Sequence, residues 1–173
     1  MDFEVISNIM SVLSAIAVPI IVLIIGNNFS KKMALEKGLR DERVPLYKDL
    51  LEPLIILYAP NQAFEKDKKY KGMSNVDIAM QQIQTKDYNQ KMFEMSLIAP
   101  DSVIRSFNNF YQYLYTNKGK SDTQIIMNLW GMILLEIRKS MGNSNTELHQ
   151  LEMLEWKISD IKNFKVNGEY KKI

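Results

Sequence analysis

The sequence predicts an all-α protein: an N-terminal transmembrane helix continuing into a kinked stalk, followed by a cytoplasmic helical bundle. Three observations lead there. None of the 22 Lys and Arg residues precedes Lys31, and residues 5–25 run for 21 positions without a charge. Beyond Asn27 the apolar residues recur at helical spacing, with no run of alternating apolar and polar residues. The 173 residues suit one modest domain plus an appendage, and 46% apolar against 24% charged residues suffices for a packed core. The expected divisions are a transmembrane segment at 1–30, a stalk helix at 31–58 and a bundle at 59–173.

Residues 5–25 read VISNIMSVLSAIAVPIIVLII. At about 1.5 Å per residue this helix spans roughly 31 Å, the thickness of a bilayer's hydrocarbon core. A buried helix of a soluble core rarely runs so long without charge. A signal peptide would carry Lys or Arg before the apolar run, where this chain has Asp2 and Glu4. Lys31, Lys32, Lys37, Arg40, Arg43 and Lys48 follow the run, so the positive-inside rule places the N-terminus outside and everything after the span in the cytoplasm. Lys31 and Lys32 are the membrane-flank charges. The expected location is therefore a membrane, with the bulk of the chain on its cytoplasmic side.

Within the span, Ser7, Ser11 and Ser14 recur at i, i+4 and i+7 and share one face, with Asn8 beside them. Three readings stay open. The serines bond back to their own backbone, or the stripe is a helix–helix contact in an oligomer, or it lines a water-filled path in a ring of helices. Pro19 removes one backbone donor and is expected to kink the span or end its first half.

The stalk pattern Met33, Leu35, Leu39, Leu46, Leu50, Leu51, Leu54, Ile55 keeps one apolar face, with bends expected near Gly38, Pro45 and Pro53. Residues 59–72, APNQAFEKDKKYKG, read as a polar loop. Ser74 and Thr85 are expected to cap two helices, the second ending near Ala99. Pro100 is expected in the first turn of a helix that carries Val103, Phe107, Phe110 and Tyr111 and stops near Asn117. A capping box at Ser121 to Gln124 is expected to open the central, most buried helix, with Gly142 as its stop. Ser144 to Glu147 reads as a further capping box starting a last helix, with Leu148, Leu151, Leu154, Ile158 and Ile161 on one face. The tail from Asn163 is expected to fray.

Chemistry is sparse. The absence of Cys excludes disulfides, cysteine nucleophiles and thiolate metal sites, and the single His149 excludes a paired-histidine site. No GxGxxG, GxxxxGK[ST] or GxSxG occurs. No catalytic residue, metal site or cofactor is expected, and the protein is not read as an enzyme. The aromatic run Phe107, Phe110, Tyr111, Tyr113 and Tyr115 lacks interleaved Lys or Arg and reads as core, so no direct nucleic-acid binding is expected.

Tyr47-Lys-Asp-Leu-Leu-Glu-Pro-Leu54, Leu134-Leu-Glu-Ile-Arg-Lys-Ser-Met-Gly142 and Met153-Leu-Glu-Trp-Lys-Ile-Ser-Asp-Ile161 are similar to motifs of a widespread group of small bacterial single-span proteins. Within it, the layout of span, kinked stalk and helical bundle resembles the small membrane accessory protein of type VI-B CRISPR systems. That resemblance covers nearly the full chain in plan and only these three motifs in residues. It implies a homo-oligomeric, ring-like pore of the bacterial inner membrane in anti-phage defence, with a functional link to an RNA-guided RNA-cleaving effector. A ribonuclease-type Arg–His motif suspected in that group is absent from this chain. The rival expectation is a membrane-tethered helical module that recruits a cytoplasmic partner without forming a pore.

Overall fold

The computed structural model describes the backbone of residues 3–60, 64, 69–117, 122–158, 165–166 and 169–170, and the side chains of 22–23, 25–60, 64, 69–117 and 122–158. Among the described residues it is all-helical apart from one two-residue ladder. The chain divides into two compact units, Met1–Asp41 and Glu42–Ile173, with α1 (Phe3–Leu57) contributing residues to both. The helix is assigned without a break through Pro19, Gly38, Pro45 and Pro53, so none of them ends it. Among the described residues no helix is long and apolar enough to cross a membrane. Of the uncharged run 5–25, only Val22, Leu23 and Ile25 have described side chains, and all three are exposed.

The second unit is built on the C-terminal part of α1. Leu46, Tyr47, Leu50 and Leu54 recur at helical spacing and enter one buried cluster. Around them come α2 (Asn75–Ile83), α3 (Lys86–Ile98), α4 (Asp101–Thr116) and α5 (Thr123–Ser140). α4 contributes Val103, Phe107, Phe110 and Tyr111 to the core, and α5 contributes Met127, Trp130 and Ile133. The Trp130 indole stacks on Tyr58 with ring centroids 4.3 Å apart. A smaller cluster of Ile56, Ile78 and Ala79 is covered by Phe64, Tyr70 and Met73.

Local chemistry explains most of the helix ends. Ser74 caps α2 in a capping box: its hydroxyl accepts from the Asp77 amide, and the Asp77 carboxylate accepts from the Ser74 amide. The Asp77 carboxyl is held below its usual range by the Ser74 hydroxyl and amide. Thr85 caps α3 by accepting from the Tyr88 amide at 3.1 Å. Pro100 stands at the N-cap of α4, one position before the expected first turn, because its extended ψ of 151° precedes the first helical residue. The cap of α5 is Asp122, whose carboxylate accepts from the Gln124 amide at 2.7 Å. The Ser121 expected in that role lies outside the described residues. α5 ends in a Schellman turn, with Gly142 at φ +101°, its amide bonded to Lys139 O and the Asn143 amide to Arg138 O.

Two expectations fail after Gly142. No α-helix starts at Ser144; the chain forms a 3-10 helix over Gln150–Leu154, capped by His149. The His149 Nδ1 accepts from the Leu151 amide at 3.3 Å, while Glu152 accepts from the His149 amide at 2.5 Å. The reason is tertiary. A Cβ on Gly131 would lie 2.3 Å from the Gln150 carbonyl oxygen, so α5 and the Gln150 backbone are pressed together. The Gln150 side-chain Nε2 also donates to Asn128 Oδ1 at 3.3 Å, and Arg138 Nε donates to the Thr146 hydroxyl at 3.3 Å. Leu151 and Leu154 still reach the core, as the apolar spacing implies. The all-helical expectation also omits an antiparallel ladder between β1 (Lys165–Val166) and β2 (Glu169–Tyr170). The two residues between these strands in sequence are Asn167 and Gly168, a dipeptide that favours a tight hairpin.

Candidate functional site

A concavity of the second unit lies along α2, α3 and α4. It is a groove of about 510 Å³ lined by Met80 and Ile83 of α2, by Tyr88, Met92 and Phe93 of α3, and by Tyr111 and Tyr115 of α4. On α3, Met95 turns into the core, while the groove-lining Phe93 is 75% exposed. Tyr115 is 60% exposed and stacks on Tyr111 with centroids 6.2 Å apart.

A buried phenol pair supports the groove. The Leu50 carbonyl can only accept, so the Tyr88 hydroxyl donates to it at 3.2 Å, and the Tyr111 hydroxyl donates in turn to the Tyr88 oxygen. Burial is the main reason both phenols are pushed above their ordinary value of 10. Neither acts as a base near neutral pH. Polar side chains of the lining are turned back on their own helix: Asn89 donates to Thr85 O at 2.8 Å and Ser96 to Met92 O at 3.0 Å. Such a groove suits an apolar segment and offers no nucleophile or general acid–base pair.

Electrostatics elsewhere in this unit are structural. Arg43, nearly buried, donates from Nε to the Ile98 carbonyl at 2.6 Å and so satisfies an end of α3. Lys91 bridges Asp49 at 2.8 Å and Asp87 at 3.1 Å, tying α3 to α1. Among the described residues no group of His, Asp and Glu side chains is placed to hold a metal ion.

The sequence-predicted residues fall differently. Ser7, Asn8, Ser11, Ser14 and Pro19 lie in the backbone of α1, and their side chains are outside the described residues. Lys31 and Lys32 are exposed on α1 in the first unit. His149 is a half-buried helix cap. Of the aromatic run, Phe107, Phe110 and Tyr111 are core as expected, while Tyr113 is half-buried and accepts from the Asp122 amide at 2.8 Å. The groove itself was missed by sequence reasoning. Its signal was the second apolar stretch of α3, Met92 and Phe93. No family model matches the chain, and neither curated proteins nor solved structures yield a match to it.

Proposed function

We propose that this chain is a single-span protein of the bacterial inner membrane, N-terminus outside, whose spans assemble into a ring that perturbs or perforates the membrane in CRISPR-linked anti-phage defence. One observation carries the reading: 21 consecutive uncharged residues at 5–25, within the helix α1. The hydroxyl stripe at Ser7, Ser11 and Ser14 supports self-association, since hydroxyls in hydrocarbon gain by meeting water or a neighbouring helix. Cyclic symmetry is the ordinary way identical subunits close such a ring. The defence role rests on the resemblance described above. No catalytic step enters this reading.

Two measurements test it. The mass of the purified protein in detergent and in lipid nanodiscs should be that of a closed oligomer. In cells, Ser11→Leu should abolish depolarisation without loss of expression or assembly, while Val22→Leu should be neutral. Depolarisation that survives Ser11→Leu removes the lumen from the reading, and a monomer removes the pore.

A second reading, a membrane-tethered module that recruits a cytoplasmic partner, is favoured by the α2–α4 groove with its exposed Phe93. Under it the chain is monomeric or dimeric, no depolarisation occurs, and Phe93→Asp destroys cellular function without unfolding the protein.

A further inference from the structure

The first unit offers a surface whose chemistry is unlike that of the groove. Along α1, positions 29, 32, 33, 36, 37 and 40 follow helical spacing and share one face. Their side chains, Phe29, Lys32, Met33, Glu36, Lys37 and Arg40, border a hollow of about 570 Å³. Phe29 and Met33 are 63% and 58% exposed, and Lys32 and Lys37 are exposed beside them. Three cations and one acid thus surround two apolar side chains. Lys31, also exposed, adds a further cation on the adjoining face.

We propose that this face, together with the adjoining Lys31, binds the headgroup of anionic phospholipid, with Lys31 and Lys32 taking the phosphate, Lys37 adding to the attraction and Phe29 lying at headgroup depth. The proposal rests on the membrane reading of residues 5–25 and names the lipid that its flank selects. Depth supports it. Phe29 stands about 6 Å along the helix from Ile25 and Lys32 about 10 Å. The headgroup zone on each side of the hydrocarbon is roughly 5–7 Å thick. Side chains on a helix lean toward its N-terminus, which here is toward the bilayer, so the lysine ammonium groups reach back to the phosphates. An aromatic ring at headgroup depth is a usual interfacial anchor. Charge argues against this face as a two-fold contact with a second copy, because across such a contact Lys32, Lys37 and Arg40 would approach their own counterparts, with only two apolar side chains to offset the repulsion.

The test is lipid selectivity of the full chain reconstituted in phosphatidylcholine bilayers. Spin-labelled phosphatidylglycerol and spin-labelled phosphatidylcholine each report the lipid motionally restricted at the protein surface. The expected result is an association about five-fold in favour of phosphatidylglycerol, falling to about one in Lys31→Gln/Lys32→Gln and weakening in 1 M salt. Equal restriction of both labels overturns this proposal and leaves the span standing. A preference unchanged in the double variant assigns the lipid to other residues and overturns it as well. No restricted lipid with either label, together with release of the protein by alkaline carbonate, removes the span itself and this site with it.

Discussion

Replacing the two buried phenols singly and together should give a strongly non-additive result. Tyr111 donates to Tyr88, which donates to the Leu50 carbonyl. Tyr111→Phe removes the outer donor and leaves the inner bond intact, so it should cost about 0.5–1.5 kcal/mol, the net value of a typical hydrogen bond. Tyr88→Phe removes the bond to Leu50 and leaves the Tyr111 hydroxyl, only 8% exposed at the residue level, without its acceptor. That variant should cost about 1–3 kcal/mol, the penalty for a stranded buried polar group. In the double variant no stranded hydroxyl remains, so its cost should fall below the sum by about 1 kcal/mol or more. Both tryptophans, Trp130 and Trp156, lie in the second unit, so urea unfolding of the full chain in detergent, followed by tryptophan fluorescence, reports the bundle without the span. With a slope of about 1–3 kcal/mol per molar urea, the Tyr88→Phe midpoint should drop by about 1 M. Additive single and double costs, or a costlier Tyr111→Phe, would refute the direction assigned to the chain of donors.

Three further outcomes follow from the same core. Gly131→Ala should destabilise the bundle by about 1–3 kcal/mol in the same assay, because its new Cβ would meet the Gln150 carbonyl oxygen at 2.3 Å; an unchanged midpoint would show that the 3-10 segment yields freely. Arg43→Ala should cost about 1.5–3 kcal/mol through loss of the charge-assisted bond to Ile98 O at 2.6 Å, and hydrogen exchange should rise first in the last turn of α3. At high pH, Tyr47, Tyr58, Tyr88 and Tyr111 all have their ionisation pushed above 10, chiefly by burial. Because the folded values lie above the unfolded one, their stability is fully present below pH 10 and is lost as pH rises beyond it. Absorbance at about 295 nm should therefore show these phenols ionising together with unfolding, and their ionisation in an intact fold at pH 10 would contradict the burial.

Much of the secondary structure was legible from the chain, and the particular residues say why. Ser74 with Asp77, and Thr85 with the Tyr88 amide, use partners three positions away, so sequence alone determines them. Gly142 likewise takes φ +101° because a helix stop needs a left-handed residue. The Asn167-Gly168 pair was an equally local signal between the two strands of the ladder, and it was overlooked where a fraying tail was expected. The 21-residue uncharged run is a property of composition, and the membrane reading is drawn from it. What the tertiary structure decided was everything that needs a distant partner. Segment 144–154 carries a good local helix signal, yet the pressure of Gly131 on Gln150 and the Gln150–Asn128 hydrogen bond set it as a short 3-10 helix. Arg43 reads as one more stalk charge, until α3 brings the Ile98 carbonyl to it from 55 positions away. Tyr88 and Tyr111, 23 positions apart, are ordinary apolar-face residues in the sequence. Only the packing of α3 and α4 against Leu50 removes water from their hydroxyls, and without water each polar group must find its partner within the fold.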